Sequence, residues 1–196
     1  MSKGTITLII VGVVILILTG TTLTTYNGLV TTDEAVSTAW SNVQSQYQRR
    51  ADLIPNLVNT VKGYAKHEQG TLESVMAARA KATQLTVDAN SLTPEKMKQM
   101  QEAQGQLSQA LGRLMMISEK YPDLKANEGF SELRAQLEGT ENRINESRRQ
   151  YNEIVKEYNI SVRKFPSNLV AGMFGFDKRT PFEAETGAEK APKVEF

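Results

Sequence analysis

ITLIIVGVVILIL, residues Ile6 to Leu18, runs on through TGTTLTTY to Tyr26, and no charged residue falls between Lys3 and Asp33. At about 1.5 Å per residue, a helix from Ile6 to Tyr26 spans roughly 30 Å, the thickness of a bilayer's hydrocarbon core. The stretch therefore reads as a transmembrane anchor over residues 6–26. Tyr26 falls where an amphipathic ring meets lipid headgroups, and Asn27-Gly28 offers a turn as the chain leaves the membrane. A cleaved secretory signal competes on length, but no Ala-x-Ala site follows the small residues Thr19, Gly20 and Thr21. A buried core helix competes on composition, but such a helix rarely runs so long without polar interruption. Lys3 and the amino group lie on one flank, Asp33 and Glu34 on the other. That bias makes residues 1–5 a short cytoplasmic N-terminus and puts the rest of the chain outside the cytoplasm.

The remainder is long enough for one globular domain. Lys and Arg number 23 against 22 Asp and Glu, a net charge of +1, so no bulk field gathers nucleic acid, and none is expected as a partner. The absence of cysteine excludes disulfides, thiolate metal sites and a cysteine nucleophile.

After the span, Thr31 with Glu34 three residues later reads as a capping box that starts a helix. Apolar residues recur at Val36, Trp40, Val43 and Tyr47, at Ile54, Leu57, Val61 and Tyr64, and on through Leu72, Val75 and Ala82. Their three-and-four spacing is the stripe of a helix packed in a bundle. Pro55 interrupts it, because a proline inside a helix removes a donor and clashes one turn back. Two near-collinear helices meeting near Asp52 are expected, with a single kinked helix as the alternative. DANSLTP is a loop, with Thr93 as N-cap and Pro94 in the first turn of a helix carrying Met97, Met100, Leu107, Leu111, Leu114, Ile117 and Tyr121. Pro122 ends it. Past the connector PDLKANEG, a last long helix shows Phe130, Leu133, Leu137, Ile144, Tyr151, Ile154, Tyr158, Val162 and Phe165 until Pro166. The fold class is all-α: an N-terminal transmembrane helix followed by an antiparallel bundle of about four helices over 31–165. Residues 166–182 form an apolar segment packing back on the bundle, and 183–196 a polar, flexible tail.

With these helices laid out, YQRRADLIPNLVNTVKGYAKHE from Tyr47 to Glu68, YPDLKANEGFSELRAQLEGTENRI from Tyr121 to Ile144, and RQYNEIVKEYN ending at Asn159 resemble the bacterial LemA family. The resemblance runs from the membrane segment to Phe182. It implies a single-pass membrane protein with a four-helix soluble domain and no established enzymatic activity.

The residues themselves carry little catalytic signal. His67 is the one histidine, whereas HExxH zinc sites and the Glu-x-x-His sites of di-iron bundles each need a second. It reads as a surface residue beside Glu68. There is no phosphate loop, dinucleotide fingerprint or G-x-S-x-G turn, and the glycines of AGMFGF read as packing. No catalytic, cofactor-binding or metal-binding residue is assigned, and no cofactor is expected. Thr140 and Ser147 fall on an interior stripe, as does Arg50. A buried charge needs a partner, so Arg50 or Arg148 is expected to pair with Glu141, the alternative being solvated rim residues.

The function expected is a non-enzymatic scaffold or binding module in the cell envelope. It is held by the bilayer through residues 6–26 and presents a helix face, or the segment around Met173, Phe174 and Phe176, to an envelope protein. The alternatives are a regulator of a membrane protease or transporter, or an enzyme with a pocket near His67. Homo-oligomerisation stays open, but its signal in the span is poor: Gly12 and Gly20 lie eight apart with Leu16 between them.

Overall fold

The computed structural model describes residues 3–65, 67–85 and 87–183, so expectations for residues 1–2 and for the tail beyond Glu183 lie outside the described residues. Among the described residues the protein is helical without strands. Its elements are α1 (Lys3–Tyr64), α2 (Gln69–Gln84), α3 (Pro94–Ser118), the single turn α4 (Pro122–Lys125), α5 (Glu128–Ser161) and α6 (Ser167–Phe174). A short 3-10 turn, Ala89–Ser91, precedes α3. The distal part of α1 with α2, α3 and α5 makes an antiparallel four-helix bundle. Its tight pairs are α1 with α5, α2 with α3, and α1 with α2.

The first helix overturns two expectations. It neither breaks at Asn27-Gly28 nor restarts at Thr31, and it does not divide at Pro55: one helix of 62 residues, about 93 Å long, carries the apolar segment straight into the bundle core. A capping box has nothing to satisfy where the backbone donors are already bonded within a helix. The Thr31 hydroxyl turns back to the Asn27 carbonyl instead, at 2.9 Å. Four threonines of the apolar segment do the same, Thr7 to Lys3, Thr21 to Ile17, Thr22 to Leu18 and Thr24 to Gly20, so these four hydroxyls are satisfied within the helix. At Pro55 the missing amide orphans the Ala51 carbonyl, and the Arg79 side chain of α2 donates to that oxygen at 2.7 Å. The proline's cost is offset from a neighbouring helix, and the stripe continues through it with Ile54 and Leu57 fully buried.

The break comes later, between Ala65 and Glu68, where α2 folds back. Leu72 and Val75 thereby join Val61, Leu107 and Leu114 in one apolar cluster. The cap of α3 matches the sequence: Thr93 Oγ1 accepts from the Lys96 amide, with Pro94 in the first turn. Asn127 Oδ1 accepts from the Phe130 amide at the start of α5. At its far end α5 stops at Ser161, one turn before the expected Phe165. Pro166 cannot donate to the Val162 carbonyl and disfavours helix at its predecessor. Phe165, expected on the inward stripe, is consequently exposed.

Candidate functional site

The core is two apolar clusters. One, nearer the apolar segment of α1, holds Trp40, Val43, Tyr47, Met100, Ile144 and Tyr151; the other, at the distal end, holds Ile54, Leu57, Leu107, Leu114, Phe130 and Leu137. Between Tyr47 and Ile54 on α1 comes Arg50, between Met100 and Leu107 on α3 comes Gln104, and between Leu137 and Ile144 on α5 come Thr140 and Glu141. These residues form a polar layer across the bundle. Arg50 is 1% exposed, and its Nη1 donates to Glu141 Oε2 at 2.7 Å and to Ser108 Oγ at 2.9 Å. Its Nη2 donates to Gln104 Oε1. Glu141 itself is 43% exposed, so the pair joins a fully dehydrated guanidinium to a carboxylate that keeps much of its water. A buried guanidinium without that partner is costly, which ties the register of α1 to those of α3 and α5.

The structure thus chooses Arg50 for Glu141. Arg148 goes elsewhere, lying over the Phe182 ring at 4.7 Å. Thr140 and Ser147 are buried as expected, bonded within α5 to the carbonyls of Gln136 and Ile144. Gln104 and Ser108 were not singled out by sequence, although Gln104 stands four residues from Met100 and three from Leu107, on the stripe they define. Above Arg50 a cleft of about 320 Å³ opens between α3 and α5, walled by Leu111, Met115 and Leu137, with Arg134 and Glu138 at its rim.

The second constellation is the return of the chain over the bundle. Past Gly175, whose φ of +75° suits glycine, residues 176–183 run without helix along α5. Asn159 donates to the Arg179 carbonyl and accepts from the Arg179 amide, both at 2.8 Å. Asn152 treats Phe182 the same way, at 3.0 and 2.8 Å. The spacing explains the match: seven helical residues rise about 10.5 Å and three extended residues about 10 Å. Arg179 also bonds Asp33 of α1 at 2.7 Å, and Phe182 packs on Trp40 and Tyr151, ring centroids 5.9 and 5.4 Å away. The Tyr151 hydroxyl donates to the Thr180 carbonyl. Burial pushes the Tyr151 phenol up to about 12, against the pull of Arg179. Burial chiefly, with the Asp33 carboxylate adding to it, pushes Tyr158 up to about 12 as well. Asn152, Asn159 and Arg179 were not legible as a set from sequence.

His67 is exposed in the break between α1 and α2. Among the described residues no three of histidine, aspartate and glutamate converge as metal ligands would. A solvent-open cavity of about 530 Å³ nearby is lined by Val58, Lys62, Ala65, Gln69, Leu72, Glu73 and Met76, with Glu73 its single carboxylate and His67 not in its wall.

A polar-layered helical bundle borne on an exposed apolar helix defines a class of architecture rather than a chemistry. The family model for the LemA family matches residues 39–196, and the chain belongs to that family. Magnetosome protein MamQ 2 of Paramagnetospirillum magneticum is 29% identical over 191 residues, covering 89% of this chain and 70% of that protein. Magnetosome protein MamQ of Magnetospirillum gryphiswaldense is 28% identical over the same shares. Protein LemA of Metamycoplasma hominis is 27% identical over 145 residues, 74% of this chain and 63% of that protein.

Proposed function

We propose that the protein is a non-enzymatic scaffold or binding module of the bacterial cell envelope, anchored in a membrane by residues 6–26. The observation that carries this reading is the continuity of α1. Every residue from Ile6 to Leu18 is exposed, with no charge among them, yet the same helix supplies the centre of the bundle. Such a helix transmits the position of the anchor to the bundle without a flexible joint. Lys3 on one flank and Asp33 with Glu34 on the other favour a cytoplasmic N-terminus and an extracytoplasmic bundle.

Placement is tested by expressing the full chain in a bacterium, extracting membranes with alkaline carbonate, and adding protease to spheroplasts. Retention in the carbonate pellet and cleavage of the bundle from outside are expected; a carbonate-soluble or protease-protected bundle contradicts the anchor or its orientation. The binding role is tested by in-cell photo-crosslinking from Met115 in the α3–α5 cleft and from Met116, which is 66% exposed. A reproducible envelope protein captured only when the anchor is intact supports the module. A chain that captures nothing while a control interface crosslinks counts against it.

A further inference from the structure

Large exposed apolar side chains concentrate in two places: along Ile6 to Leu23, and at Phe165, Leu169, Met173 and Phe174, which are 79, 58, 76 and 52% exposed. The others, Val30, Tyr64, Met76, Met116 and Ile160, are single residues far apart in the sequence. The second group lies on α6 and the turn before it. One face of α6, with Ser167, Val170 and Ala171, is buried on the bundle, while Leu169 and Met173, one turn apart, point away from it. An exposed stripe of this kind is unfavourable in water and marks a surface that something covers.

The position of α6 identifies the cover. Phe174 and Phe176 pack their rings on Tyr26, with centroids 4.8 and 5.7 Å away. Tyr26 is the last residue of the apolar segment. Thr22 and Thr25, on the same side of α1 and up to one turn further into that segment, are half-buried as well. The C-terminal end of α6 therefore stands at the level where an anchored α1 leaves the hydrocarbon. Within residues 163–178, Arg163, Lys164 and Lys178 are exposed cations and Asp177 is the one exposed carboxylate, a charge pattern that suits lipid phosphates.

We infer that α6 is a second membrane contact. Leu169, Met173 and Phe174 sit in the headgroup–acyl boundary of the bilayer that α1 crosses, and Arg163, Lys164 and Lys178 face its phosphates. The inference rests on the anchored reading of residues 6–26. It assigns to lipid the surface around Met173 and Phe174 that the sequence offers to a protein, and Phe176, half-buried on Tyr26, is intramolecular packing.

The chain has no cysteine, so single labels can be placed cleanly on exposed positions of the full-length protein. Variants M173C, L169C, L16C and K120C, each carrying an environment-sensitive fluorophore, are reconstituted in phosphatidylcholine–phosphatidylglycerol vesicles. They are challenged with a water-soluble quencher and with lipids spin-labelled near the headgroup or deep in the chain. Labels at 173 and 169 are expected to be quenched by the shallow lipid and to lose several-fold in aqueous quenching relative to 120, while 16 responds to the deep lipid. If 173 and 169 are as open to water as 120 while 16 is in lipid, the α6 contact is wrong and the anchor stands. If 16 is also open to water, both fail. Protection of 173 from water without quenching by any lipid label means that protein covers it, and overturns the bilayer assignment.

Discussion

Arg79 of α2 donates to the carbonyl of Ala51 on α1, the one acceptor that Pro55 leaves without an intrahelical donor. The two residues form a compensated pair across helices, and the cost of losing Arg79 depends on the proline. Arg79→Ala is expected to destabilise by about 1.5–3 kcal/mol, as for a hydrogen bond from a charged group. In a Pro55→Ala background the amide returns and the loss should fall by more than half. Denaturant unfolding of the four proteins in the cycle measures this, and equal costs in both backgrounds would show that Arg79 acts elsewhere.

Glu141 is the carboxylate for Arg50 and not for Arg148. Glu141→Ala should cost about 1.5–3 kcal/mol, because it removes the charge partner of a dehydrated guanidinium that keeps only neutral neighbours, the side chains of Gln104 and Ser108 and the Tyr47 ring. Double-mutant cycles should find coupling between Glu141 and Arg50 and none between Glu141 and Arg148.

Asn152 and Asn159 clip the returning chain by its backbone rather than by its side chains. Replacing either with Ala leaves an amide and a carbonyl of the strap unpaired, at about 1–3 kcal/mol. Amide hydrogen exchange should accelerate at Phe182 in Asn152→Ala and at Arg179 in Asn159→Ala, with the distal amides around Leu114 unaffected. Uniform acceleration through the bundle would mean that the strap does not open on its own.

Tyr151 and Tyr158 tie stability to alkaline pH. Each phenol holds its proton more tightly folded than unfolded, so the unfolded chain binds fewer protons once the pH passes the ordinary tyrosine value near 10. Their contribution is complete below that value and disappears as the pH rises to about 12. Ultraviolet difference titration should show these two ionising late and together with loss of helix. Tyr151→Phe should flatten the fall between those limits.

The apolar periods of Val36 to Val61, Met97 to Leu114 and Phe130 to Tyr158 were legible because burial in a bundle repeats every three or four residues, whereas Tyr64, expected on the first of them, is exposed at the end of α1; the caps at Thr93 and Pro94 were legible because they are local. Two mistakes share one cause. Asn27-Gly28 and Pro55 are breakers by local propensity, but the break they suggest is overruled by bonds that no window of sequence contains: the helix already running from the span, and Arg79 arriving from α2. Glu141 could be matched to a buried arginine on chemistry, whereas the choice of Arg50 over Arg148 needed the rotation of α5 against α1. The asparagine clips were invisible for another reason. Two asparagines seven apart mean nothing until an extended chain lies beside them.

Because α1 has no joint, a residue inserted in its apolar part, before Thr22, does two separable things to everything beyond it. It turns the bundle by about 100° about the helix axis and raises it by about 1.5 Å. Fluid lipid looks the same from every azimuth, so under the proposed α6 contact a bilayer registers only the rise, felt as the lifting of Leu169 and Met173. A protein beside the span registers the turn. A series of one to four inserted residues thus acts as a compass and a ruler on one shaft: effects that cycle with the helical turn report a neighbour in the membrane plane, and effects that grow steadily report depth alone.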